Sequence, residues 1–155
     1  MSAEPPGNPP LAHVRVVDLT DLRGALAGRM LADLGADVIK VEPPGGDPGR
    51  LRPPFAGDVR DPGRSLPFLF RNQGKRGAVI DINDDAGWRR FGGLCAGAAV
   101  LIENLAPDDA LAPRLTAEVT ARHPHLVHAT IADFGRSGPR SRWRLEPLPA
   151  FAASG

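Results

Sequence analysis

The residues that could carry chemistry lie mainly where predicted helices and strands begin or end. Six aspartates follow this rule, and capping explains them without a catalytic role: Asp37, Asp47, Asp81, Asp84, Asp85 and Asp133. The single cysteine, Cys95, lies on the apolar side of a predicted helix, which favours inert packing. The sequence also lacks the Gly-x-Ser-x-Gly turn that presents a serine nucleophile. The residues alone therefore predict no catalytic group.

Common nucleotide-binding and metal-binding patterns are missing as well. After the first predicted strand the chain continues Asp18-Leu-Thr-Asp-Leu-Arg-Gly-Ala25, without the Gly-x-Gly-x-x-Gly of dinucleotide-binding proteins. Three histidines are close in sequence, His123, His125 and His128, but a turn holds the first two and a strand the third. We therefore predict no metal site.

Apolar segments of two lengths alternate along the chain and predict the elements that position these residues. Short β-branched runs predict strands at 13–19, 38–41, 78–82, 99–102 and 126–131. Longer periodic segments predict helices at 21–34, 84–96 and 116–122, a helical turn at 68–74 and a helix-like tail at 145–155. In the first helix, Leu22, Leu26, Met30 and Leu34 recur every fourth residue. Three alanines, Ala25, Ala27 and Ala32, widen this stripe, and the face is predicted to pack on the sheet. This alternation predicts an α/β fold: a parallel, Rossmann-like sheet with helices on both faces.

Composition and charge limit the domain organisation and the partners. We expect a disordered lead-in at 1–12 and one domain over 13–155. A formal net charge of +1 gives no nucleic-acid surface. No apolar run suits a leader or a membrane span, and the lone cysteine suits a reducing compartment, so a cytoplasmic location is expected. Residues 43–67 contain seven prolines, five glycines and four arginines, which predicts a long functional or partner-contacting loop.

Five ordered motifs resemble one known family. The first is Gly35-Ala-Asp-Val-Ile-Lys-Val-Glu-Pro-Pro-Gly-Gly-Asp-Pro48. The others are, in chain order, Asn72-Gln-Gly-Lys-Arg76, Val100-Leu-Ile-Glu-Asn104, His123-Pro-His-Leu-Val127 and Phe134-Gly-Arg-Ser-Gly-Pro139. Together they look like the N-terminal portion of the class III CoA-transferases, a family that includes formyl-CoA and carnitine-type CoA-transferases and the α-methylacyl-CoA racemases. The resemblance implies the first part of a Rossmann-like large domain that binds coenzyme A, as acyl-CoA or free CoA, without a metal.

The resemblance also implies which residues approach coenzyme A. Leu22 and Arg23, and the turn after Glu42, would approach its adenine and ribose. Arg50 and Arg76 would neutralise phosphate charge. The remaining positions would line the rest of the nucleotide or pantetheine path: Ile80, Asn83, Asn104 and Leu105.

Departures from the family pattern leave alternatives open. Pro43 and Asn83 stand where the family often has an arginine and a lysine. The family's nucleophilic aspartate, which stores the acyl group as a mixed anhydride, belongs to a motif that this sequence lacks, and Glu146 is the one nearby carboxylate. The chain is therefore either the CoA-binding part of a transferase or a non-catalytic CoA-binding or assembly module. A homodimer and a longer homologous partner chain both stay open, as does an unrelated domain that binds ATP or NAD.

Overall fold

The computed structural model describes residues 8–143 and contains one parallel sheet of five strands. The strands are β1 (Arg15–Asp18), β2 (Asp37–Glu42), β3 (Arg76–Val79), β4 (Val100–Glu103) and β5 (Val127–Thr130). Their order in the sheet is β3-β2-β1-β4-β5, and every neighbouring pair is parallel. The predicted α/β fold with a parallel sheet is confirmed.

Helices connect the strands. They are α1 (Ala25–Asp33), α2 (Leu66–Asn72), α3 (Asp85–Ala96) and α4 (Leu111–Arg114), which continues into a π-helical segment, Leu115–Thr120. Polar N-cap residues mark the beginning of α2 and α3. Ser65 accepts from the Phe68 N–H, and Asp84 accepts from the Gly87 N–H at 2.6 Å. The long loop also holds two short 3₁₀ turns, Pro48–Leu51 and Ala56–Asp58. The predicted tail helix and Glu146 lie outside the described residues.

Adjacent residues of each strand point to opposite faces, and helices cover both. Val17 points towards α3, where Phe91, Cys95 and Leu101 are fully buried. Val16 points to the opposite face, where it packs with Val38, Ile102 and residues of α1. Burial raises the pKa of the Cys95 thiol to about 12, as expected for an inert packing residue.

The face of α1 that packs on the sheet differs from the predicted one. Leu26, Met30 and Leu34 are 44%, 61% and 49% exposed, so the prediction was wrong for these large side chains. The predicted alanines do pack: Ala25 is buried, and Ala27 and Ala32 lie against the core together with Gly28 and Leu31. At Gly28, α1 crosses a buried Lys75–Asp18 pair on the sheet, and a Cβ there would stand 2.3 Å from Asp18 Oδ2, so a large side chain cannot face the sheet at that position.

Two predicted boundaries differ in their detail. β3 ends at Val79, three residues before the predicted end. Within the predicted lead-in, the Leu11 N–H donates to the Leu34 carbonyl at 3.0 Å, and the Leu11 side chain packs on the core. Over residues 8–143, no helix is long and apolar enough to cross a bilayer.

Candidate functional site

A groove of about 450 Å³ opens at the carboxyl end of the sheet. Its first wall is the β1–α1 loop, residues 21–23, and its second wall is the segment 48–53. Pro67 and Arg71 of α2 complete it. The lining residues are Asp21, Leu22, Arg23, Pro48, Gly49, Arg52, Pro53, Pro67 and Arg71. Carboxyl-end loops of open parallel sheets are the usual place for ligands in such folds.

Three arginines line this groove, one from each segment. Arg23 is paired with its neighbour Asp21 at 3.0 Å and stays largely exposed. Arg52 and Arg71 make no ion pair with any other residue in the part of the chain that is described. Proline and leucine side chains form the surface between these cations. The groove therefore offers guanidinium groups beside an apolar surface, which suits an anionic ligand with a flat or apolar part.

A smaller pocket lies on the other side of Arg23, between the ends of β4 and β5. It is lined by Arg23, Asn104, Leu105, Ala106, Pro107, Ile131, Ala132, Asp133, Ser141 and Trp143. Trp143 packs edge-on against Phe134, with ring centroids 5.8 Å apart. Arg23 therefore contributes to the lining of both pockets.

Asn104 holds the first wall in place. Its Oδ1 accepts from the Asp21 N–H at 2.8 Å, and its Nδ2 donates to Asp21 Oδ1 at 2.6 Å. These bonds join the exits of β4 and β1, which are adjacent strands. Leu105 follows and lines the small pocket, so four predicted residues, Leu22, Arg23, Asn104 and Leu105, come together at this edge.

Glu42 and Arg50 pair with each other beside the groove. Arg50 Nε and Nη2 donate to the two Glu42 oxygens at 2.6 and 2.7 Å, and the guanidinium stacks over Phe68. Burial alone would raise the pKa of Glu42, but hydrogen bonds from Arg50 and the Asp47 N–H hold it below its ordinary value. Both side chains are therefore occupied in shaping the segment that follows β2.

Two buried lysine–aspartate pairs lie under the same segments. On the face below α1, the side chains change from Val16 and Val38 to charged groups as β1 and β2 approach their carboxyl ends. Lys75 Nζ donates to Asp18 Oδ2 at 2.6 Å, and Lys40 Nζ lies 2.8 Å from Asp47 Oδ2.

Lys75 has a partner for each of its three hydrogens. Beyond Asp18, its Nζ donates to the Ala25 carbonyl at 2.7 Å and to Asn72 Oδ1 at 2.8 Å. Burial lowers the pKa of Lys75, and the Asp18 carboxylate opposes that shift. α1 passes directly over this pair at Gly28, where a Cβ would stand 2.3 Å from Asp18 Oδ2.

Glu103 forms a third buried centre at the end of β4. Its carboxylate accepts from Arg136 at 2.7 and 2.8 Å, from Thr130 Oγ1, and from the Leu105 N–H at 2.7 Å. Burial alone would raise the pKa of Glu103, but contacts with His128, Thr130 and the Leu105 N–H hold it below its ordinary value. This carboxylate joins the loop after β5 to the exit of β4.

Three predicted residues do not join the groove. Arg76 lies at the start of β3 and binds Asp37, at the start of β2, at 2.7 and 2.8 Å, on the opposite end of the sheet. Ile80 is buried in the core below α3. Asn83 is exposed after β3, where its N–H and Nδ2 both donate to Asp81 Oδ1.

The sequence-based selection missed Arg52 and Arg71. Arg52 belongs to the arginine-containing segment 43–67, and that composition was the available signal. Arg71 had no signal, because only the packing of α2 beside the second wall brings it to the groove. Among residues 8–143, no group of three potential metal ligands comes together.

The sequence matches a protein-family model described as "CoA-transferase family III" over residues 11–151. The chain is 44% identical to "Probable CoA-transferase Rv1866" of Mycobacterium tuberculosis over 148 residues, 90% of this chain and 18% of that protein. It is 39% identical to "Succinyl-CoA:(R)-benzylsuccinate CoA-transferase subunit BbsE" of Thauera aromatica, over 93% of this chain and 35% of that one.

Solved structures share the fold. A "Hypothetical protein (Rv3272)" from M. tuberculosis superposes with a TM-score of 0.78 at 30% identity, covering 94% of this chain and 40% of that one. A "CAIB/BAIF family protein" from Brucella suis gives a TM-score of 0.73 at 34% identity, covering 88% and 36%. The chain therefore spans well under half the length of each of these relatives.

Proposed function

This chain belongs to CoA-transferase family III, and from that membership we propose that it holds the nucleotide end of a coenzyme A thioester. In the proposed reaction, coenzyme A moves between an acyl-CoA and a carboxylic acid. The acyl donor and acceptor are left open, because the chain spans only part of its relatives.

The observation that carries the proposal is the arginine-lined groove. Coenzyme A has a 3′-phosphate and a diphosphate, and guanidinium groups bind such oxygens in pairs. Arg52 and Arg71 make no ion pair among the described residues, so their charge is available to these phosphates. Leu22 and the lining prolines offer an apolar surface for the adenine ring.

The proposed role of these residues is to bind and orient the thioester. The carboxylates nearest the groove already have partners: Asp21 with Arg23 and Asn104, and Glu42 with Arg50. A carboxylate that stores the acyl group has to be free to attack the thioester carbon. We therefore assign this chain the binding step and leave the nucleophile to sequence outside residues 8–143.

Calorimetric titration of the purified chain tests the proposal. We expect coenzyme A to bind more tightly than 3′-dephospho-CoA, because the latter lacks one phosphate. Arg52→Met and Arg71→Met are expected to weaken binding about tenfold each, since a charge-assisted pair contributes roughly 1.5–3 kcal/mol. Arg60→Met, an exposed arginine of the same loop that does not line the groove, is the matched control. Tighter binding of ATP or NAD than of coenzyme A would contradict the proposed binding of coenzyme A in this groove.

One observation favours the assembly module as a second candidate. The exposed stripe of α1, formed by Leu26, Met30 and Leu34, lies beside α2, which exposes Leu69 and Phe70. Apolar patches of this kind mark surfaces that contact other protein. Sedimentation of the chain alone, and then with a longer homologous subunit, distinguishes the candidates when each sample is also assayed for transfer. Coenzyme A binding and complex formation without any transfer would support the module.

A further inference from the structure

We infer that Lys40 is a positioning residue that sets the separation of the two groove walls. The inference rests on the proposed binding of coenzyme A in that groove. Lys40 lies on β2 with its side chain almost fully buried beneath the loops that form both walls. It does not line the groove, so any effect on a ligand must pass through other residues.

The Lys40 ammonium reaches both walls at once. It donates to the Thr20 carbonyl, one residue before the first wall begins. It also lies 2.8 Å from Asp47 Oδ2, one residue before the second wall begins. Asp47 Oδ1 in turn accepts from the Gly49 N–H at 2.6 Å, so this carboxylate links Lys40 to the turn that lines the groove.

Other polar contacts each hold a single wall. Asn104 joins the first wall to the exit of β4, and Ser65 Oγ donates to the Gly49 and Arg52 carbonyls of the second. Asp18 Oδ1 accepts from Thr20 N–H and Oγ1 at 2.9 and 2.6 Å, which orients the residue before the first wall. Glu42 accepts from the Asp47 N–H at 2.9 Å, which orients the start of the second. Lys40 is placed differently, because a single buried cation bonds to groups from both sides.

The walls meet closely, so their separation matters for a ligand. A Cβ on Gly49 would stand 3.1 Å from Leu22 Cδ1, which shows that the two walls are already in contact at the base of the groove. Arg23 belongs to the first wall and Arg52 to the second. The separation of these two guanidinium groups therefore follows the separation that Lys40 maintains.

A pair of variants separates positioning from stability. Lys40→Met alone leaves Asp47 as an uncompensated buried charge, so that variant is expected to lose stability for a trivial reason. The double variant Lys40→Met/Asp47→Asn removes both charges and keeps an oxygen acceptor for Gly49. We expect it to regain most of the lost stability. Its dissociation constant for coenzyme A is expected to stay about tenfold higher than that of the unaltered chain.

The control is Val119→Ala, a core substitution in the π-helical segment, which destabilises the chain away from both walls. It should leave the affinity of the folded protein within about twofold, because it changes no group near the groove. If the double variant regains affinity together with stability, Lys40 contributes only to stability and the inference is overturned.

Amide hydrogen exchange of the ligand-free chain gives a readout that does not depend on coenzyme A. In the double variant, exchange should be faster at residues 19–24 and 46–53 and unchanged in β4 and β5. Unchanged exchange at both wall segments would overturn the inference. Failure of the unaltered chain to bind coenzyme A would count against the proposed function, and exchange would still decide the role of Lys40.

Discussion

The two ends of the parallel sheet hold their charges in opposite ways. At the carboxyl end, Asp18, Asp47 and Glu103 are buried, and each contacts a cationic side chain. At the amino end, Asp37 is partly exposed and bound by Arg15 and Arg76, both of which extend into solvent. The same residue types thus form a buried arrangement at one end and a surface cluster at the other.

The two kinds of ion pair should contribute differently to the stability of the fold. A surface ion pair contributes little, because water solvates its members about as well when they separate. Breaking a buried pair leaves one charge without water or a counter-ion, which is costly. The proposed ligand groove lies at the end where the charges are buried, so its shape depends on those pairs being complete.

The largest expected difference is between Lys75 and Arg76, which are neighbours in sequence but bind aspartates at opposite ends of the sheet. Lys75→Met should lower the free energy of unfolding by about 3–5 kcal/mol, because Asp18 would be left as a buried, uncompensated charge. Arg76→Met, its neighbour in sequence, should lower it by less than about 1 kcal/mol. Urea unfolding of both variants measures the contrast. Equal losses would remove the distinction between the two ends.

The next largest effect on stability is expected at Gly28, where alanine should destabilise the chain although alanine usually stabilises a helix. Gly28→Ala should destabilise the chain by about 1–3 kcal/mol, because the new Cβ would collide with Asp18 Oδ2. The control is Gly93→Ala, in the interior of α3, where a Cβ meets nothing within 4 Å. That substitution should stabilise by roughly 0.5–1 kcal/mol, as replacing a helical glycine usually does. Thermal unfolding of the two variants checks this, and a stabilising Gly28→Ala would show that α1 can shift off the pair.

Acid should affect the carboxyl end through Glu103. Its pKa is held below the ordinary value of 4.5 in the folded chain, so it stabilises the fold above that pH, and the stabilisation is lost as pH falls through the lowered value. Glu103→Gln should therefore be less stable than the unaltered chain at pH 7, by about 1–3 kcal/mol, with the gap closing as the pH falls below 4.5. Unfolding midpoints across that range measure the gap, and a constant gap would contradict the lowered pKa.

The smallest expected effect is that of Arg76 on ligand binding. Arg76→Met should leave the affinity for coenzyme A within about twofold, because its guanidinium binds Asp37 at the amino end. Calorimetric titration beside Arg71→Met measures this. A clear loss in Arg76→Met would support the phosphate role that the sequence motif suggested.

Periodicity and capping were enough to predict most of the fold. The strands, their parallel arrangement and the cap of α3 at Asp84 follow from alternation and from cap residues that act locally. The orientation of α1 was not predictable in this way, because it depends on Lys75, which reaches under the helix from fifty residues further along the chain. Hydrophobic spacing identifies the large apolar side chains of a helix, and in α1 three of them, Leu26, Met30 and Leu34, face outward.

The candidate site was predictable where motif residues leave adjacent strands. Leu22, Arg23, Asn104 and Leu105 come together because β1 and β4 are neighbours whose exits meet. Arg76 lies at the other end of the sheet, because it is the first residue of β3 and binds Asp37 at the start of β2. Arg71 was missed because its place depends on how α2 packs.

Because Cys95 is buried, the rate at which its thiol reacts with an alkylating reagent can report how often the fold opens. It is the one cysteine in the sequence, it lies on the buried side of α3, and burial raises the pKa of its thiol to about 12. An alkylating reagent can then react only with molecules that have opened. When opening and closing are fast relative to labelling, the labelling rate follows the population of open chains. The stability variants can therefore be ranked by the increase in mass on alkylation, without an added probe and in an unpurified mixture.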